Sequence, residues 1–343
     1  NISRRIEAEE MAMDSASLVI ASTHQEVRQQ YSLYDNYHPK RMQVIPPGTD
    51  LSRFHPPTAD ERPAIRAQIE QFLRAPEKPV ILALSRADER KNIATLIRAY
   101  GENEQLQARA NLVVIAGNRD DIATLDRGAQ RVLTDMLRLI DKYDLYGKVA
   151  YPKHHSPADV PALYRLAAAS GGVFVNPALT EPFGLTLIEA AASGLPIVAT
   201  EDGGPRDIHK HCRNGLLIDP LDADAMGQAL LEAVSGTDRW RRWAQNGTQG
   251  AHRYYSWGIH VESYLQAVTT ILGNRHRARL LQPAKSRLPT LQRLVISDID
   301  DTLIGDDEAL TALVSRLQEA GHGVGFGVAT GRSLQSTLGA LRE

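Results

Sequence analysis

The stretch from Gly172 to Pro205 constrains the fold more than any other part of the chain. Gly172-Val-Phe-Val175 is a short, β-branched apolar run that Asn176-Pro177 breaks, the pattern of a buried parallel strand. Glu181-Pro182-Phe183-Gly184 turns the chain, and Leu185, Ile188, Ala191 and Ala192 then share one apolar helical face up to Ser193-Gly194. Leu195 to Ala199 reads as the next strand, with the Gly203-Gly204-Pro205 turn after it. Strand, helix and strand in that order form a βαβ unit, which implies a parallel sheet with helices on its faces. The backbone N–H groups of Gly184, Leu185 and Thr186 open the helix, and with its dipole they predict a phosphate seat that glycine lets a ligand approach closely.

Two carboxylates, Glu181 and Glu189, bracket this seat with seven residues between them. Both are acceptor-only groups suited to sugar hydroxyls on either side of a diphosphate. Taken alone, the pair is better read as a helix cap at Glu181 and a solvated surface charge at Glu189. A second strand, Pro79 to Leu84, leads into Ser85-Arg86-Ala-Asp-Glu-Arg90-Lys91-Asn92 and a helix with Ile93, Leu96 and Ile97 on its apolar face. Cations at the carboxyl end of a parallel strand point into the ligand crevice of an open α/β sheet. Arg86 offers a bidentate fork and Lys91 a compact ammonium, although both also fit a run of surface charges with Asp88, Glu89 and Arg90.

The same alternation continues through the strands Leu112–Gly117, Val149–Tyr151 and Gly215–Asp219. Between them lie an amphipathic helix from Arg131 to Tyr143, with Val132, Leu133, Met136 and Leu137 as expected core residues, and a helix from Asp159 to Ala168. Upstream, a charged helix over Ile6–Met13 precedes a short strand at 17–22, a threonine-capped helix from Thr23 and a strand at Gln43-Val-Ile that Pro46-Pro47-Gly48 ends.

The string Glu181-Pro-Phe-Gly-Leu-Thr-Leu-Ile-Glu-Ala190, with Gly194-Leu-Pro-Ile-Val-Ala-Thr200 and Gly203-Gly-Pro205, resembles the donor-site signature of retaining GT-B glycosyltransferases, which use nucleotide sugars. Arg4-Arg-Ile-Glu-Ala-Glu-Glu10, Gly117-Asn-Arg-Asp-Asp121, Ile140-Asp-Lys-Tyr-Asp-Leu-Tyr-Gly147 and Ala150-Tyr-Pro-Lys-His-His155 narrow the resemblance to sucrose-phosphate synthases. It implies that Arg86 and Lys91 hold the diphosphate and stabilise the leaving group, that Glu181 orients the sugar and that Glu189 holds the ribose hydroxyls. It places Phe183, Gly184, Leu185 and Thr186 in the donor site. Lys153 and His154 belong by the same resemblance near the nucleotide base, with a structural loop histidine as the equal alternative. Arg4 and Arg5 are candidates for the acceptor's phosphate, or an ordinary solvated helix start. The implied reaction is retaining transfer of glucose from UDP-glucose to fructose 6-phosphate, with no metal for that step. The aromatic helices over 238–270, with Trp240, Trp243, Tyr254, Tyr255, Trp257 and Tyr264, are expected to pack back onto the first domain.

Leu294-Val-Ile-Ser-Asp298-Ile-Asp300-Asp301-Thr302-Leu303 is an apolar strand ending in Asp-x-Asp-x-Thr and resembles the haloacid dehalogenase-like phosphohydrolases. That resemblance makes Asp298 the nucleophile and Asp300 the acid/base, both holding Mg²⁺, and gives Thr330 of Thr330-Gly-Arg332 the phosphate. The chain ends at Glu343, before the lysine and further acidic ligands of such domains, so phosphatase activity is not expected of it. Asp298-x-Asp300 also fits the metal motif of a different glycosyltransferase fold, which its position and Thr302 oppose.

The expected architecture is α/β throughout: the tail of an N-terminal Rossmann-like acceptor domain at 1–55, a connection at 56–77 and a donor-binding Rossmann-like domain at 78–236. Helices crossing back at 237–272, a linker at 273–292 and the start of a haloacid dehalogenase-like domain at 293–343 complete it. A formal net charge of -2 supplies no basic field for nucleic acid, and the single cysteine, Cys212, rules out a disulfide framework or a cysteine-ligated zinc site. Without an apolar run of membrane length or a signal-peptide pattern, a cytoplasmic protein is expected, and the Asn1 start together with the Glu343 end is read as truncation at both ends. Association with a sucrose-phosphate phosphatase is a further expectation. The rival readings are a mannosylfructose-phosphate synthase using GDP-mannose, a sucrose synthase acting on free fructose and a nucleotide-binding module without catalysis; the sequence does not choose between UDP and ADP.

Overall fold

The computed structural model describes residues 2–58, 63–278, 293–299, 302–303, 306–320, 323–330 and 337. They fall into two compact units, Asn1–Arg275 and His276–Glu343.

The first unit is built on six parallel strands: β3 (Val80–Ser85), β4 (Asn111–Ala116), β5 (Val149–Ala150), β6 (Val173–Asn176), β7 (Ile197–Thr200) and β8 (Gly215–Ile218). Their order across the sheet is β5-β4-β3-β6-β7-β8. The strands read as continuous apolar runs because helices cover both faces. Successive residues still point to opposite sides. Val80 and Leu82 meet one core cluster, with Phe174, and Ile81 and Ala83 meet the other, with Val173 and Val175.

Helices α3 (Ile93–Gly101), α4 (Glu104–Arg109), α5 (Arg127–Lys142) and α9 (Ala223–Ala233) pack on one face, and α2 (Ala64–Glu70), α6 (Asp159–Ala169), α7 (Leu185–Ala192), α8 (Pro205–Cys212) and α10 (Thr237–Tyr254) on the other. Side-chain caps fix several helix starts: Asn103 accepts from Leu106 N, Asp126 from Gly128 N and Ala129 N, and Asp222 from Ala225 N.

Three expectations need correction. The 56–77 connection contains α2, whose Ile65 and Ile69, four residues apart on one face, are buried in the core. In α5 the buried stripe is Leu133, Met136 and Ile140, while Leu137 is 36% exposed and Val132 only flanks the core. In α7 the buried set is Leu187, Ile188 and Ala190 to Ala192, and Leu185 is exposed.

Ahead of the sheet, α1 (Ile2–Ser15) is followed by β1 (Val19–Ala21), which pairs in parallel with β2 (Met42–Val44). Thr23 and Glu26 form a reciprocal capping box: Glu26 N donates to Thr23 Oγ1 at 3.2 Å, and Thr23 N donates to Glu26 Oε2 at 3.2 Å. The final helix of the unit, α11 (Trp257–Ala278), returns to this segment. Thr49 N donates to Tyr255 O at 2.8 Å, and a ring nitrogen of His260 lies 2.9 Å from Pro46 O. The aromatics expected to pack on the first domain divide differently: Tyr255 is buried in the core of the six-stranded sheet, Trp240 Nε1 donates to Gly172 O at 2.7 Å and Trp243 packs against that sheet's other core cluster, while Trp257 and Tyr264 are exposed. The expected linker begins inside α11, and residues 279–292 lie outside the described residues. Among the described residues no helix is long and apolar enough to cross a membrane.

The second unit pairs β9 (Arg293–Ser297) in parallel with β10 (Val324–Val328), with α12 (Asp307–Glu319) between them in the chain. Asp306 caps α12 by accepting from Ala309 N.

Candidate active site

Strands β4 and β5 extend the sheet to one side of β3 and β6 to β8 to the other, so the connections diverge between β3 and β6. At such a switch point the loops leaving the two strands part and open a crevice at their carboxyl ends. A crevice of about 370 Å³ lies there, and its walls include Arg86, Lys91, Gly117, His155, Glu181 and Thr186.

The loop after β3 is fixed before it reaches Lys91. Asp88 accepts from Arg90 N at 2.9 Å, and Asn92, in the left-handed region at φ 55°, donates to Pro177 O at 3.0 Å and Pro220 O at 2.8 Å. Leu179 N donates to Arg90 O at 2.9 Å, which ties this loop to the one after β6. Lys91 Nζ consequently sits 2.7 Å from Glu181 Oε2, with side chains only 27% and 12% exposed. Asn176, buried at the end of β6, donates to the same oxygen at 3.0 Å. A partly buried ammonium and carboxylate therefore face each other at the crevice wall, with the amide setting the carboxylate's orientation.

Glu181 is held from behind as well. Its N–H donates to Asp202 O at 3.0 Å, and its carbonyl accepts from Gly204 N at 2.9 Å. This close approach accounts for Gly203, at φ 110°, where a Cβ would lie 1.9 Å from Glu181 O. Gly184, at φ 100°, precedes α7, and no side chain caps that helix. Leu185 and Thr186 line the crevice from this open end, which explains the exposure of Leu185.

Glu189 is not in the crevice lining; it lies one helical turn beyond Leu185 on the same side of α7 and is half-buried. Tyr164 Oη donates to Glu189 Oε2 at 3.0 Å. Burial pushes the carboxyl pKa up to about 7, opposed by the Tyr164 hydrogen bond and the charge of Arg53. The surface-charge alternative for Glu189 does not describe this position.

The loop after β5 departs from expectation by one residue. Lys153 and His154 point outward, with Lys153 Nζ donating to Asp120 O at 2.8 Å and His154 Nε2 lying 3.3 Å from Asp120 Oδ1. His155 lines the crevice instead. Asn118 fixes it with a reciprocal pair, accepting from His155 N at 2.8 Å and donating to His155 O at 2.9 Å. Buried Arg119 braces the loop through Tyr151 O at 3.0 Å and Pro152 O at 3.3 Å. Burial holds the His155 pKa below the ordinary histidine value. Phe183 packs against the core cluster and is absent from the lining, as are the exposed Arg4 and Arg5 of α1.

In the second unit Asp298 follows β9 directly and Thr330 lies two residues past β10, both at the same strand ends because Ser297 pairs with Val328. Asp298 Oδ1 accepts from Ile299 N at 2.8 Å. Asp300 lies outside the described residues. Among the described residues no group of three His, Cys, Asp or Glu side chains could hold a metal ion.

Comparison with known proteins gives two family matches. Residues 291–343 match the family described as Sucrose-6F-phosphate phosphohydrolase, and residues 64–250 that described as Glycosyl transferases group 1. Among curated proteins, a probable sucrose-phosphate synthase 2 of Craterostigma plantagineum is 49% identical over 305 residues, covering 78% of this chain and 28% of the relative. The sucrose-phosphate synthase of Zea mays is 48% identical over 307 residues, covering 78% and 29%. The chain thus spans less than a third of the length of these relatives. Among solved structures, the sucrose-phosphate synthase of Thermosynechococcus elongatus superposes with a TM-score of 0.63 at 25% identity over 79% of this chain and 62% of that one. Anabaena HepE, solved in complex with UDP-glucose, shares the fold with a TM-score of 0.63 at 18% identity over 78% of this chain and 68% of its own. With the glycosyltransferase match covering more than half of its residues and the crevice at the switch point of the matched sheet, the chain belongs to the group 1 glycosyl transferases.

Proposed function

We propose that this chain carries the donor-binding part of a sucrose-phosphate synthase, an enzyme that transfers glucose from UDP-glucose to fructose 6-phosphate with retention at the anomeric carbon. The observation that carries the reading is the convergence of Arg86, Lys91, Glu181 and the open start of α7 on one crevice at the sheet's switch point. Extensive similarity to sucrose-phosphate synthases favours it over the mannosylfructose-phosphate and sucrose synthase readings.

As the bond to the anomeric carbon breaks, negative charge accumulates on the departing UDP. Arg86, Lys91 and the N–H groups at the head of α7 are preorganised to receive it. Lys91 is already neutralised by Glu181, so an incoming diphosphate shares a placed ammonium rather than recruiting a mobile one. Glu181 keeps further lone pairs for sugar hydroxyls, since a carboxylate has about four acceptor sites. His155, kept neutral by burial, is a hydrogen-bond partner at the rim of the crevice rather than a third cation. Glu189 is assigned to the ribose, one turn deeper along α7. These cations supply the charge for glycosyl transfer, and no metal is assigned to that step.

The second unit is assigned to the haloacid dehalogenase-like phosphohydrolases. Asp298 and Asp300 are its expected Mg²⁺ ligands, with Mg²⁺ supplying charge neutralisation at phosphate oxygens.

Calorimetric titration with UDP, uridine, ADP and GDP tests the donor assignment. Lys91→Ala should weaken UDP roughly 10- to 100-fold, as loss of a charge-assisted contact does, while uridine changes by less than about threefold. Equal losses for UDP and uridine would remove the phosphate role of Lys91, and tighter binding of GDP than UDP would favour a different hexosyl donor.

A further inference from the structure

We propose that Tyr164 is a positioning residue for the donor: its phenol orients the Glu189 carboxylate and keeps it an acceptor for the vicinal hydroxyls of the ribose. This rests on the assignment of Glu189 to the ribose made above.

Tyr164 is fully buried on α6, with its ring edge-on to Phe54 at 5.9 Å and to Phe174 at 5.3 Å between centroids. Two aromatic neighbours leave the ring little freedom, so its hydroxyl oxygen is held in place beside α7. It donates to Glu189 Oε2 at 3.0 Å. That bond takes one of the roughly four acceptor positions of a carboxylate and leaves enough for a vicinal diol, which needs two. A buried carboxylate without such a donor rotates, or protonates and becomes a donor itself, and in either case fits a diol poorly.

The groups that set the protonation of Glu189 come from two sides. Tyr164 faces it from α6 and Arg53 acts on it from the segment ahead of α2. Elsewhere along α7 the neighbours include Gly247 of α10 beside Ala191 O, Ile208 of α8 beside Gly184, and Phe174 of β6 and Ile197 and Ala199 of β7 in the shared core. Burial raises the Glu189 pKa to about 7, and the Tyr164 bond works against that rise. Burial also pushes the Tyr164 phenol well above its ordinary value, so it stays a donor through neutral and mildly alkaline pH.

Replacing the phenol while keeping the ring isolates its role. Wild type and Tyr164→Phe, both checked for folding by circular dichroism, are titrated calorimetrically with UDP and with inorganic pyrophosphate from pH 6 to 9. The expected result is an acid limb of UDP affinity displaced to higher pH in the variant. The loss should be roughly tenfold at pH 7, shrinking to within about threefold at pH 9, with pyrophosphate affinity unchanged at every pH. A pH-independent loss of UDP, or a parallel loss of pyrophosphate, would show a merely structural tyrosine and overturn the proposal. An unmoved profile in a variant of a UDP-binding wild type would overturn it while sparing the donor assignment. Should Tyr164→Phe not fold, Glu189→Asp, whose shorter side chain draws the carboxylate back from the phenol, must reproduce the displaced limb or the proposal fails. If the wild type binds no UDP, both the ribose assignment and this proposal fall.

Discussion

Glu189, proposed as the ribose ligand, sits where its charge costs stability. Its folded pKa of about 7 lies well above the ordinary value of 4.5. Between these values the native state holds a proton that the unfolded chain has released, so stability falls as pH rises across the interval. The favourable contribution is fully present below about pH 4.5 and lost once the pH passes the folded value near 7. Glutamine carries no such penalty and can still accept from Tyr164. Glu189→Gln should therefore be more stable than wild type at pH 8 by on the order of 1 kcal/mol, with the gain vanishing near pH 4.5 while UDP affinity falls. Urea denaturation midpoints at the two pH values read this directly, and a variant less stable than wild type at pH 8 would contradict it. The neighbouring histidines show where residue-level reading ends. Residues 152–155 mark a loop at a strand end, but whether His154 or His155 enters the crevice depends on Asn118 and Arg119, more than thirty residues earlier in the chain.

Among the elements, strands were the most legible because both faces of the sheet are covered and their apolar runs are unbroken. The helix faces were less so. Helix α7 is apolar on most sides and lies between sheet and α10, so periodicity could not show that Leu185 turns to the crevice. Helix α2 was hidden by the Pro-, Arg- and Glu-rich composition around it, although Ile65 and Ile69 carry a four-residue spacing. Both isoleucines are buried beside Val80, Leu163 and Tyr164 in one cluster. Ile65→Ala should cost about 2–5 kcal/mol, seen as a lowered denaturant midpoint, and a cost below about 1 kcal/mol would return this segment to the status of a connection.

On the scale of the first unit, the segment around β1 is fastened to the rim of the crevice by side chains far apart in sequence. Gln25 Nε2 donates to Asp202 Oδ1 at 2.7 Å, Thr180 Oγ1 donates to Asp202 Oδ2 at 2.7 Å, and His24 N donates to Asp207 Oδ2 at 2.8 Å. The Gln25 and Thr180 bonds hold the Asp202 pKa below its ordinary value. Its stabilising contribution is present above the ordinary carboxylate range and lost as pH falls through the lower folded value. Asp202 also supplies the carbonyl that accepts from Glu181 N, so the fastening and the site share one residue. Asp202→Ala should speed amide hydrogen exchange over 19–26 and 179–181 together by roughly tenfold, as loss of about 1.4 kcal/mol of local stability does. Faster exchange in only one of the two stretches would separate the fastening from the site.

The sequence by itself determined the parallel α/β sheet, the βαβ unit and the placing of Arg86, Lys91 and Glu181 in loops at strand ends. Those follow from local periodicity, strand ends and glycines, which act over a few residues. The tertiary structure decided that Lys91 pairs with Glu181, that Tyr164 meets Glu189, that His155 rather than His154 faces the crevice and that α2 belongs to the core. Each of these depends on which strands lie side by side and how buried a group becomes, and both are set by packing between segments distant along the chain.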